Sequence, residues 1–214
     1  MKWFNSLVPI LKLAYPNRLW AGPSPHKKVI YLTFDDGPIP EVTPWVLQLL
    51  HSYNAKATFF CIGNNMKLHP NILSQVLQAK HAIGNHTYHH LNGWKTSTKT
   101  YLKDIETFEK LGYTTPFLRP PYGKCTSSQA KKLTQKGYKI VMWDVISEDY
   151  NKTISPEKCY QTVISQAKSG SIVVFHDSLK AEKNLRYVLP KVLEYYTKKG
   201  FVFKSLPVNA AELN

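Results

Sequence analysis

Apolar residues along this chain fall into two alternating rhythms. Short β-branched or aromatic runs, such as Lys28-Val29-Ile30-Tyr31-Leu32 and Lys56-Ala57-Thr58-Phe59-Phe60-Cys61-Ile62, read as buried strands. Between them lie segments whose apolar residues recur three and four apart, the signature of a helix packed by one face. The first carries Val42, Trp45, Val46, Leu49 and Leu50 behind Pro40 and Pro44. Later helices are expected over 72–80, from the Ser97 cap to Gly112, over 127–135, from Ser155-Pro156 to about Ala167, and over 185–199. Later strands are expected at Ala82-Ile83, Phe117-Leu118-Arg119, Tyr138 to Val145, Ser171 to Phe175 and Phe201 to Phe203. About seven strands alternating with helices predict an α/β fold, a parallel sheet closed into a barrel with helices outside. An open doubly wound sheet is the alternative, but it calls for a Gly-rich phosphate loop after a strand and none is present.

At 214 residues the chain suits one sizeable domain, and no Pro/Gly/Ser-rich linker or charge block divides it. Residues 1–27 read as an N-terminal segment packing on that domain through Trp3, Phe4, Leu7, Leu11 and Trp20, with contact to a membrane face as the rival reading. Polar residues and Pro9 interrupt the stretch, so neither a cleavable signal peptide nor a membrane span is expected; a cytoplasmic location and export or anchoring by a non-standard route both stay open. Cys61, Cys125 and Cys159 are far apart and odd in number, which argues for buried thiols rather than a disulfide framework or thiolate metal site. The net charge of +14 would suit nucleic acid, an anionic surface or an acidic polymer. Its lysines, however, come in scattered pairs such as Lys131-Lys132, as expected of solvated helix faces. We expect no nucleic-acid partner, peripheral surface contact at most through a basic face, and a monomer.

The chemistry gathers just past the strand ends. Asp35 and Asp36 follow the first strand, and two adjacent carboxylates ionise together only beside a metal, an arginine or a shared proton. In His86-Thr87-Tyr88-His89-His90, a helical turn would present His86 and His90 to one side, and two imidazoles plus a carboxylate from another loop make a divalent-metal set. Arg119-Pro120-Pro121-Tyr122-Gly123 offers a rigidly held arginine. Trp143 to Tyr150 ends its strand with three acids, and Val174-Phe175-His176-Asp177 ends the next with a histidine that a carboxylate partner would keep charged.

Thr33-Phe34-Asp35-Asp36-Gly37-Pro38, His86 to His90, Arg119 to Gly123, the segment up to Asp149-Tyr150, and Val174-Phe175-His176 together resemble, in order, the five motifs of the polysaccharide deacetylases, carbohydrate esterase family 4 or NodB homology domain. The resemblance spans about Lys28 to Leu206, within a catalytic domain drawn at 28–208. It implies a distorted (β/α) barrel, one divalent metal ion, zinc, held by Asp36, His86 and His90, and removal of acetyl groups, mainly N-acetyl, from an N-acetylglucosamine-type glycan. It further implies Asp35 as general base oriented by Arg119, His176 as general acid oriented by Asp149, and the Tyr122 backbone N–H as an oxyanion donor. Trp143, Tyr150 and Val174 would contact substrate. Tyr150 stands where the family usually has Trp, and Val174 where it usually has Leu. An O-acetyl esterase acting on xylan or another glycan, and a non-catalytic glycan-binding module, are the alternatives.

Overall fold

The structure, a computed structural model, describes residues 3–23 and 26–208, with side chains in the first helix from Val8 onward. Its strands are β1 (Val29–Asp35), β2 (Thr58–Cys61), β3 (Ala82–Asn85), β4 (Phe117–Leu118), β5 (Lys139–Ile140), β6 (Val145–Ile146), β7 (Ile172–His176) and β8 (Val202–Lys204). They form one parallel sheet in the order β5-β4-β3-β2-β1-β7-β6, with β8 also paired to β1. Around it run α1 (Trp3–Ala14), α2 (Thr43–Ser52), α3 (Gly63–Leu68), α4 (Pro70–Gln78), α5 (Thr98–Glu109), α6 (Ser127–Gln135), α7 (Pro156–Gln166) and α8 (Glu182–Lys198). Ser97 caps α5, as expected, by accepting the Thr100 N–H. The short helix α3 was not expected, because the strand-breaking Gly63 is itself its first residue.

The expected strand from Tyr138 to Val145 is in fact two short strands at opposite ends of the sheet order. Val141 N–H still donates to the Leu118 carbonyl of β4 and Asp144 N–H to the Ile172 carbonyl of β7, but between them the Met142 backbone is engaged elsewhere: its N–H donates to the Leu19 carbonyl and its carbonyl accepts from Arg119. Five Cα steps from Ile140 to Val145 span at most about 18 Å, so the two edges must approach and the sheet curls into a distorted barrel. The N-terminal chain lies at this seam, where Leu19 bridges Val141 and Ala21 bridges Ser171. Lys12 pairs with Asp144 at 2.6 Å, and Val8 and Trp20 are buried. The side chains of Trp3, Phe4 and Leu7 lie outside the described residues. No helix among the described residues is long and apolar enough to cross a membrane.

Every residue of β1 is buried, and strand alternation sorts them between two layers. Ile30, Leu32 and Phe34 face the helices, packing with Phe59, Phe175, Val46 and Leu189. Val29 and Tyr31 face the barrel interior with Phe60, Val174 and Trp143. Thr33 and Asp35 share that inward parity, which is what aims Asp35 into the barrel mouth. The same rule on β7 turns Val174 and His176 inward, one layer apart.

Candidate active site

Arg119, just past β4, enters the barrel interior with no exposed surface. Its Nη1 donates to Asp35 Oδ1 at 2.7 Å and to Thr33 Oγ1 at 2.8 Å, while Nη2 donates to the Met142 carbonyl at 2.9 Å. The guanidinium lies 4.1 Å from the centre of the Phe60 ring. A charge buried this fully is tolerable because carboxylate, hydroxyl and carbonyl answer both Nη groups, although Nε has no hydrogen-bond partner among the described residues. Asp35 is thereby clamped at the top of β1.

Asp36 turns the opposite way through a left-handed backbone, φ 82°. Its Oδ1 lies 3.3 Å from His90 Nε2 and 3.8 Å from His86 Nε2, and one ligand atom from each of the three residues falls within 4.8 Å of the others. His86 Nδ1 lies 2.8 Å from the Arg119 carbonyl, so the proton belongs on Nδ1 and Nε2 presents its lone pair to Asp36. Burial holds the His86 imidazole down to about 4, against the opposing pull of Asp35. Burial alone would raise the Asp36 carboxyl, but the His90 hydrogen bond and the fields of His176 and His86 outweigh it and hold the group well below the usual carboxylate range. A neutral imidazole and an ionised carboxylate are the protonation states that metal binding requires. These three residues could therefore hold a metal ion.

The expected helical turn over 86–90 is absent, although its consequence is met. Thr87 and His90 have φ of 63° and 56°, and the local amides are taken by side chains in place of helical carbonyls. Asn85 accepts the Thr87 N–H, and Asp104 accepts those of Tyr88 and His89. His86 and His90 still face one another with ring centres 5.0 Å apart, while His89 turns away to Asp104 at 2.5 Å.

Across the mouth, His176 Nδ1 meets Asp149 Oδ1 at 2.8 Å and the His176 N–H donates to Asp149 Oδ2 at 2.8 Å. Burial would depress this imidazole, but the Asp149 charge and hydrogen bond prevail and raise it to about 9. Tyr150 packs edge-on against the His176 ring at 4.9 Å. Tyr122, at φ 60°, packs against His90, and its N–H finds no acceptor among the described residues. Asp35, Asp36, His86, His90, Tyr122, Trp143, Tyr150 and His176 thus surround one cleft of about 390 Å³. Arg119 and Asp149 lie buried behind it. Val174 does not line it: sitting one inward layer below His176, it is covered, and Ile146 of the neighbouring strand lines the cleft.

Several residues that shape the site drew no role from the sequence. Asp177 accepts the Gly37 N–H at 3.1 Å and the Thr43 hydroxyl at 2.6 Å, and Thr43 in turn accepts the Ile39 N–H. This network pins the turn that carries Asp35 and Asp36. Position next to His176 at a strand end was the only signal for Asp177. Asp104 gave none, since its partners lie fifteen and sixteen residues away. Lys124 and Lys180 stand at the cleft rim. Five of the seven non-glycine residues with positive φ among those described, Asp36, Thr87, His90, Tyr122 and Glu148, lie at or beside the cleft. Backbone strain of this kind concentrates where a surrounding structure holds functional groups in place.

The family profile described as polysaccharide deacetylase matches residues 22–141. A peptidoglycan-N-acetylglucosamine deacetylase of Bacillus cereus is 37% identical over 190 residues, covering 86% of this chain and 88% of its own. A chitooligosaccharide deacetylase of Azorhizobium caulinodans is 32% identical over 200 residues, covering 83% and 92%. The crystal structure of a peptidoglycan N-acetylglucosamine deacetylase superposes with a TM-score of 0.85 at 33% identity, covering 93% of this chain and 95% of that one. With the buried Asp35–Arg119 pair, the Asp36, His86 and His90 cluster and the His176–Asp149 pair converging on one cleft, these likenesses place the chain among the enzymes of the polysaccharide deacetylase family.

Proposed function

We propose that this cleft removes N-acetyl groups from an N-acetylglucosamine-type glycan, peptidoglycan or chitooligosaccharide, and that one zinc ion is held by Asp36, His86 and His90. The observation that carries the reading is the cleft's pairing of two oppositely built groups: a carboxylate gripped by a buried arginine with one oxygen left toward the cleft, and an imidazole held protonated by a buried carboxylate. The names of the relatives above support the substrate class. Two imidazoles and a carboxylate suit zinc with positions left for water and substrate.

A bound ion of this kind supplies Lewis acidity toward the acetyl carbonyl. Asp35, its second oxygen not taken by Arg119, accepts a proton from the attacking water. The Tyr122 N–H, without an acceptor among the described residues, stands ready for the oxyanion that develops on the carbonyl oxygen. His176 uses Nδ1 on Asp149, which leaves Nε2 to donate a proton to the departing amine. Trp143, Ile146 and Tyr150 supply the apolar wall that holds the acetamide and keeps water out.

Acetate release from N-acetylchitooligosaccharide and from peptidoglycan, measured with and without a chelator, tests the reading. Release that the chelator abolishes and zinc restores is expected; no release from either glycan by the zinc-loaded protein would overturn it.

A further inference from the structure

A second groove, of about 810 Å³, opens beside the catalytic cleft and shares Lys180 with it. Its walls are the chain entering α7, including Lys152, and the start of α8, including Lys183. Of the charged residues there, Glu182 and Arg186 neutralise one another at 2.8 Å. Lys152, Lys180 and Lys183 have no carboxylate partner among the described residues. Three uncompensated ammonium groups therefore share one trough. Their summed positive field favours an anion in the trough.

The trough begins at the acid side of the reaction centre. The Lys180 ammonium lies 5.4 Å from the centre of the Tyr150 ring, and Tyr150 packs on His176. Groove and cleft are continuous through Lys180, so a single extended molecule can reach both. Lysines, as flexible point charges, suit an anionic substituent on a sliding polymer better than a fixed bidentate ligand, for which arginine is the usual choice. The groove's one arginine, Arg186, is already committed to Glu182, the Glu41 carbonyl and the Trp45 ring.

We propose that this groove binds the carboxylate of the sugar adjoining the one being deacetylated, so that the enzyme selects a glycan in which carboxylate-bearing and acetamido sugars alternate over a neutral one. The inference rests on the deacetylase reading and adds a subsite to it. It is tested with three substrates: peptide-free peptidoglycan strands, the same strands with their lactyl carboxylates converted to amides, and neutral N-acetylchitooligosaccharide. The wild-type KM is expected to be lower for the acidic strand than for the amidated one. In the Lys152→Gln/Lys183→Gln variant, which changes two exposed side chains, that KM ratio falls by about fivefold, the scale of two exposed charge contacts. Added salt shrinks the wild-type ratio in the same direction. Equal KM values for the acidic and amidated strands in the wild type, or a ratio that the double variant leaves unmoved, would overturn the subsite while acetate release from chitooligosaccharide upheld the activity. No acetate from any of the three would overturn both.

Discussion

Arg119 joins the two halves of the site: its guanidinium grips Asp35 at 2.7 Å, while its own carbonyl lies 2.8 Å from His86 Nδ1. One residue thus fixes both the expected base and the tautomer of an expected metal ligand. Arg119→Met leaves Asp35 as a buried carboxylate without its cation, a loss of about 3–5 kcal/mol for a broken buried pair. Urea unfolding should show that loss at neutral pH; an unchanged midpoint and slope would show that Asp35 does not depend on Arg119.

On the proposed roles, the His176–Asp149 pair is expected to set the alkaline limit of activity. A general acid works while protonated, so the rate should fall as pH rises through about 9, the value to which Asp149, against burial, raises His176. Asp149→Asn removes the charge that opposes burial, and the alkaline limb of kcat/KM should move to lower pH. A limb that stays in place would exclude His176 as the acid.

How far the sequence foretold this arrangement differs from residue to residue. Strand β1 was legible because it is buried on both faces and so reads as a continuous apolar run, and the charged residues after it had no place in a core. The break between β5 and β6 was not, because it is imposed by Leu19 and Arg119, distant in sequence. His86 and His90 were found through helical spacing, yet their rings converge through two left-handed residues and amides held by Asn85 and Asp104. Val174 lay in the right motif but in a covered layer of the barrel, a distinction that depends on how far each strand rises toward the mouth.

Gly37 tolerates no side chain. A Cβ there would sit 2.0 Å from Asp177 Oδ2, within the network that pins the Asp35–Asp36 turn. Gly37→Ala should therefore weaken zinc binding as well as stability, the latter by about 1–3 kcal/mol as for overpacking elsewhere. Isothermal titration with zinc and thermal unfolding read the two effects; wild-type values in both would show that the turn can shift freely.

Asp104 touches no expected ligand atom, but it accepts the amides of Tyr88 and His89 between His86 and His90. Asp104→Ala should lower zinc affinity about 10–100-fold, the range for lost support of metal ligands. Unchanged affinity in a competition titration with a chromogenic chelator would remove Asp104 from the site's support.

Asp35 and Asp36 are neighbours assigned different work, one to the proton and one to the metal, and a single comparison separates them. Zinc content and acetate release are measured on the same preparations of wild type, Asp35→Asn and Asp36→Asn. The account predicts that Asp35→Asn keeps its zinc and loses about a hundredfold or more in rate, whereas Asp36→Asn loses the zinc itself. Normal turnover in Asp35→Asn, or full zinc retention in Asp36→Asn, would contradict it.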